Sequence, residues 1–188
     1  MSKGQFSMVF TTYVALLRGI NVGGNRKIPM GVLSQVFRDH GCSDVQTYIQ
    51  SGNVVFKSII TDRVSLIKTL TAGIETQFGF PVPMVLRSAP QIKKVLSDNP
   101  FANETIPDDR LHVMFLADPP DPLRVALLDP QRRPPDQIVC RGQEIYLWTP
   151  NGLADTKYTN AYIDSALHTI STARNWRTVN KLHAMLDS

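Results

Sequence analysis

Cysteine is nearly absent from this chain: Cys42 and Cys140 are the only two in 188 residues. They lie far apart and form no C-x-x-C pair, which excludes a disulfide framework and a structural zinc site and leaves two buried thiols in a reducing compartment as the expectation. No stretch approaches the roughly 18 apolar residues that a bilayer span needs. The apolar opening from Met8 to Leu17 contains Thr11, Thr12 and Tyr13, is rich in β-formers and lacks a small-x-small cleavage pattern, so it reads as a strand and not a secretory signal. A cytoplasmic chain with no membrane attachment is expected. Catalytic signatures are scarce too. There is no G-x-S-x-G elbow and no H-E-x-x-H pair, and His40, His112, His168 and His183 are scattered without metal-ligand spacing. Asp108, Asp109, Asp118 and Asp121 flank one predicted strand, but in Pro-rich turns they read as solubilising residues. No metal and no cofactor is implied, no nucleophile and base can be paired, and whether the protein is an enzyme stays open.

Acidic residues are missing from one region in particular. Between Met1 and Arg38 there is no Asp or Glu, while Lys3, Arg18, Arg26, Lys27 and Arg38 supply five positive charges. The net charge of +4 and the pI near 9.2 are modest, so the excess is concentrated there. A local cationic surface favours an anionic partner without requiring nucleic acid.

What is present describes an ordinary folded protein. Hydrophobic residues make up 43% and charged residues 19%, outside the range of disordered or collagenous chains. The length allows one domain or two small ones. Thr11 to Arg18 reads as a strand, broken by Gly19, Gly23 and Gly24, and Pro29 opens a helix to about His40 with Val32, Leu33, Val36 and Phe37 on one stripe. Val45 to Ile49 and Val54 to Phe56 read as strands joined by Gln50-Ser51-Gly52-Asn53. Asp62 caps a helix through Phe78, and Val82 to Arg87 is a fourth strand. The order β-α-β-β-α-β is the split ferredoxin-like unit, expected in spatial order 4-1-3-2.

After a connecting helix from about Ala89 to Leu96 the order returns less cleanly. Leu111 to Leu116, Ile138 to Arg141 and Glu144 to Thr149 read as strands, and Leu123 to Leu128 as a short helix within an exposed, mobile Pro119–Pro135 connection. Helices over about Tyr158 to His168 and Ala173 to Leu186 leave this half without an obvious final strand. The expectation is an α+β chain of two fused ferredoxin-like halves with antiparallel sheets, residues 1–88 and 89–188.

Three constellations stand out. Leu17 to Lys27 is a glycine-rich loop between strand and helix, suited to aiming backbone N–H groups at an anion. It is neither a Walker loop, since Asn25 stands where the lysine belongs, nor a G-x-G-x-x-G fingerprint. The plain alternative is a tight connection that needs glycine dihedrals. Second, the ferredoxin-like topology carries Ser51 and Asn53 to the same end of the sheet, where a hydroxyl and an amide can orient a ligand, although Ser, Gly and Asn also simply make turns. Third, Arg174, Arg177 and Lys181 form a basic stripe if Thr172 to Val179 is helical, a pattern most often belonging to a solvated helix face.

These runs carry a resemblance. LLRGINVGGNRKIPM, TYIQSGNVVF, the NPF at Asn99 to Phe101 and TARNWRTV resemble the bacterial domain-of-unknown-function family 1697 over about Thr11 to Leu186. The resemblance implies tandem α+β halves and puts Arg18, Gly19, Asn21, Gly23, Gly24, Lys27, Ser51, Gly52, Asn53, Arg174 and Asn175 in the family's signature motifs. Ala173 and Arg177 depart from the usual Thr and Asn there, and Thr156 stands before Lys157 where Ser is common. It supplies no activity. The expected function is binding of a small anionic, phosphate-bearing ligand by Arg18, Asn21, Gly23, Gly24, Lys27, Ser51 and Asn53, with Arg174 and Asn175 closing the site. The alternatives are a single-stranded nucleic-acid binder using Tyr13 and Phe56, although the aromatic RNP signature is missing, and a non-catalytic interaction module.

Overall fold

The computed structural model describes residues 9–24 and 26–186, so Lys3, Met8 and Asn25 lie outside the described residues. The first half runs β1 (Thr11–Leu17), α1 (Met30–Asp39), β2 (Ser43–Tyr48), β3 (Asn53–Ser58), α2 (Arg63–Phe78), β4 (Met84–Ser88) and α3 (Ala89–Ser97). The second runs β5 (Leu111–Leu116), α4 (Pro122–Ala126), β6 (Gln137–Arg141), β7 (Glu144–Trp148), α5 (Asn160–Leu167), β8 (Ser171–Asn175) and α6 (Trp176–Ala184). Both sheets are antiparallel, in orders β2-β3-β1-β4 and β6-β7-β5-β8. The ferredoxin-like order expected for the first half is the one observed.

Local chemistry accounts for the boundaries. The Asp62 carboxylate accepts from the backbone N–H groups of Val64 and Ser65, satisfying two donors that the first turn of α2 leaves open. Ser88 and Gln91 form a capping box on α3, and Asn175 accepts from Thr178 N at 2.9 Å to start α6. The second half departs from its expectation here. Ser171 to Asn175, read as the approach to and start of a helix, form the edge strand β8 paired with β5, so each half is β-α-β-β-α-β followed by a helix.

The sheets alternate their side chains between two apolar layers. Outward, Tyr13, Ala15, Leu17, Val54 and Phe56 meet α1 and α2, with the Phe37 and Phe56 rings 5.0 Å apart and edge-on. Outward from the other sheet, Met114, Leu116, Ile145 and Leu147 meet Tyr158, Ile163 and Leu167. The inward faces share one core. Val14, Leu16 and Val85 join Val113, Phe115 and Tyr146, with Ile92 and Val95 of α3 and Val179 and Leu182 of α6. The two halves are therefore welded by burial that neither achieves alone.

The Pro-rich connection is less detached than its composition suggests. Val125 and Leu128 pack on the outer core of the second sheet, and Arg132 and Arg133 donate to the carbonyls of Lys157 and Asp155, both at 3.1 Å. Prolines forbid ladder pairing but leave side chains free to dock.

Register relates the halves residue by residue. Val14 faces Arg87 as Val113 faces Arg174, and Leu17 faces Met84 as Leu116 faces Ser171. The match continues past the strands. Leu17 N donates to Gly52 O at 2.8 Å and Leu116 N to Gln143 O at 2.9 Å, while Arg18 N donates to Pro83 O at 2.9 Å and Ala117 N to Ile170 O at 2.8 Å.

Candidate functional site

The glycine loop and the hairpin do meet at one end of the first sheet. Asn21 joins them: its Nδ2 donates to Gln50 O at 2.8 Å and to Ile28 O at 3.0 Å, and its Oδ1 accepts from Ile28 N at 2.8 Å. Gly52 lets the two chains touch. A Cβ there would lie 2.7 Å from the Leu17 Cβ and 2.8 Å from the Ile20 Cδ1, and its φ of +71° already favours glycine.

The polar side chains of these motifs divide into two groups. Asn53 is fully buried; its Nδ2 donates to Tyr48 O at 3.1 Å and its Oδ1 accepts from Arg174 Nε. Arg174 is not part of a helical stripe. It sits on the inward face of β8, 8% exposed, and crosses to the first half. Its Nη2 donates to Leu17 O at 2.7 Å and Ser51 O at 3.1 Å, and its Nη1 to Thr172 Oγ1 at 2.9 Å and Ala173 O at 2.8 Å. No carboxylate pairs with it among the described residues, and burial lowers its pKa to about 10. Asn175 is committed to capping α6. Arg18, half-buried, donates to Ser171 O at 3.1 Å and pairs with Asp164 of α5. Asp164 also accepts from Ser171 Oγ at 2.6 Å and Ser171 N at 2.8 Å.

The second group faces solvent. Gly23 and Gly24 are exposed with φ of +60° and +79° and open space where a Cβ would stand. Lys27 is exposed with no ion pair among the described residues, and the exposed Ser51 lends Arg174 its carbonyl while its hydroxyl stays outside that network. Arg26 lies over the Phe80 ring, 5.8 Å from its centroid. The sequence reading did not single out Asp164, whose partner Arg18 lies in the other half.

Other candidates fare differently. Tyr13 and Phe56, 3% and 0% exposed, lie beneath α1 and α2, so neither ring can stack on a base. Both cysteines are free; Cys42 is buried and burial pushes its thiol up to about 11, which makes it a poor nucleophile. Among the described residues no helix is long and apolar enough to cross a membrane.

Comparison with known proteins agrees with this architecture. The structure of a conserved bacterial protein, SP0830 of Streptococcus pneumoniae, is similar with a TM-score of 0.74 and 25% identity, over 95% of this chain and 99% of that one. No curated protein matches the sequence. The model of a family of proteins of unknown function, DUF1697, matches residues 10–146, from the strand before the glycine loop to the middle of β7, and the chain belongs to that family.

Proposed function

We propose that this protein is a cytoplasmic binder of a small phosphate-bearing anion, held on the exposed surface formed by the glycine loop and the Ser51 hairpin. The observation that carries the reading is the Asn21 bridge to Gln50, which fixes an acid-free, glycine-rich loop beside the hairpin with Lys27 and Ser51 both open to solvent. Gly23 and Gly24 bring backbone N–H groups to the anion without a side chain in the way, Lys27 supplies charge and the Ser51 hydroxyl orientation. Arg18, Asn21, Asn53, Arg174 and Asn175 act one step back, as the frame that holds this surface in shape. The two free thiols support the compartment.

Calorimetric titration at low salt with pyrophosphate, nucleotides and sugar phosphates tests the reading. One of them binds, Lys27→Ala weakens it by about 1–3 kcal/mol with the melting temperature unchanged, and Ser51→Ala costs less. Loss of affinity no greater for Lys27→Ala than for Lys57→Ala on the opposite end of β3 sinks the proposal.

A further inference from the structure

The internal symmetry exposes a second site. Where Arg18 stands in the first half, the second half has Ala117, and where Ser171 opens β8, Met84 opens β4. In one copy, the gap beside the edge strand is filled by the Arg18 guanidinium, locked to Asp164 on the neighbouring helix α5. In the other copy the small Ala117 leaves the gap open, and a cleft of about 600 Å³ remains between α2, the β4 edge and the second half. That volume is within the usual range for small-ligand sites.

Its lining states the ligand chemistry. Ile67, Met84, Ala117 and Ile170 present carbon, and Ile170 is 44% exposed. The helix facing them reverses the charge of its counterpart: α5 offers Asp164, whereas α2 offers Arg63 and Lys68. Arg63 spends Nη2 on Leu86 O at 2.9 Å, while its Nε is buried with no partner among the described residues. Such an atom is costly unless something accepts from it. Lys68 is exposed and makes no ion pair among the described residues, and the acid at the rim, Asp118, is bonded to Thr169 through both N (3.2 Å) and Oδ2 (3.5 Å). We propose that this cleft binds a small amphipathic carboxylate, its head group on Arg63 and Lys68 and its hydrocarbon body along Ile67, Met84 and Ile170. The ligand places an anion beside the Arg63 and Lys68 charges, which no carboxylate pairs among the described residues, and covers the exposed part of Ile170. This site is separate from the glycine loop.

Octanoate is the probe, with octanol and inorganic phosphate as its uncharged and chainless controls. Followed by methyl NMR on the full chain, octanoate is expected to shift Ile67, Met84, Ala117 and Ile170 and to bind at least tenfold more tightly than either control. Lys68→Gln, an exposed change that leaves the fold alone, weakens it at least threefold, and Ala117→Arg, which installs the residue that fills the sister gap, abolishes it while circular dichroism stays native. Lys27→Ala leaves it unchanged. Methyl shifts elsewhere or nowhere, equal binding of octanol or phosphate, or full octanoate binding by a folded Ala117→Arg variant overturns the proposal.

Discussion

Arg87 and Arg174 occupy matching places on the last strand of each half and cross in opposite directions, yet their charges are met differently. Arg87, with no exposed side chain, donates Nε to the Glu144 carboxylate at 2.8 Å and Nη2 to Leu116 O at 2.6 Å and Gln143 O at 3.2 Å. Arg174 sends the same atoms to the Asn53 amide and to the carbonyls of Leu17, Ser51 and Gly52. Desolvation lowers the pKa of both, and at Arg87 the Glu144 charge opposes that shift. The hairpins explain the difference. Between β6 and β7 the turn is Gly142-Gln143, and Glu144 needs only to accept, with its side chain 15% exposed. Between β2 and β3 the turn is longer, and Asn53 donates to Tyr48 O as well as accepting from Arg174. An amide does both and a carboxylate does not. Symmetric backbones thus keep the guanidinium and let the turn choose its partner.

The largest effect expected is at Arg174. Arg174→Ala strands the Leu17 carbonyl and the Asn53 amide oxygen in the shared core, while Gly52 O keeps Leu17 N, and each unsatisfied buried acceptor costs about 1–3 kcal/mol. A loss of roughly 2–5 kcal/mol in urea unfolding is expected from two such acceptors and the lost packing. Arg174→Lys should recover little of it, because an ammonium cannot spread donors over so wide a set of acceptors. A loss below about 1 kcal/mol would show that water or a rearranged core replaces the guanidinium. Glu144→Gln comes next. It makes the Arg87 crossing resemble its sister, keeps an acceptor for Nε and removes only the charge, so about 1–2 kcal/mol is expected. If Glu144→Gln unfolds as easily as Arg174→Ala, the amide solution at Asn53 is no equivalent of the carboxylate and the comparison fails.

Most of the first half was legible because glycine, proline and capping residues mark its boundaries: Pro29 before α1, Asp62 before α2, Gly79 after it. Strand β8 was not. Ser171-Thr172-Ala173-Arg174-Asn175 has no apolar alternation, since its inward position is held by Arg174, and the run Arg174, Arg177, Lys181 imitates a helical stripe. Pairing with β5 decides its conformation, and that information lies some sixty residues away along the chain. The motif residues were legible as motifs and their roles were not. Arg18 and Arg174 look like free cations in sequence, but their partners Asp164 and Asn53 belong to the opposite half. Laying Thr11 to Ser88 over Leu111 to Asn175 would have aligned Arg87 with Arg174, the one sequence signal of their shared structural duty.

The smallest effect concerns the position where the halves differ in a titratable ring. Tyr13 of β1 faces Ser88 as His112 of β5 faces Asn175, so an imidazole in one half stands where a phenol stands in the other. His112 is 6% exposed and its Nδ1 has no hydrogen-bond partner among the described residues. Desolvation pulls its pKa below the ordinary 6.5, with the Arg110 backbone and Asp109 pulling the other way. Below pH 6.5 the unfolded chain therefore takes up a proton that the folded chain resists, so stability is complete above that pH and declines as pH falls toward the folded value. The opposing pulls keep the effect below that of Glu144→Gln. Melting temperatures between pH 7.5 and 5.5 should fall for the native chain and stay flatter for His112→Tyr, which copies the first half, and parallel curves for the two would mean that His112 takes its proton as readily folded as unfolded.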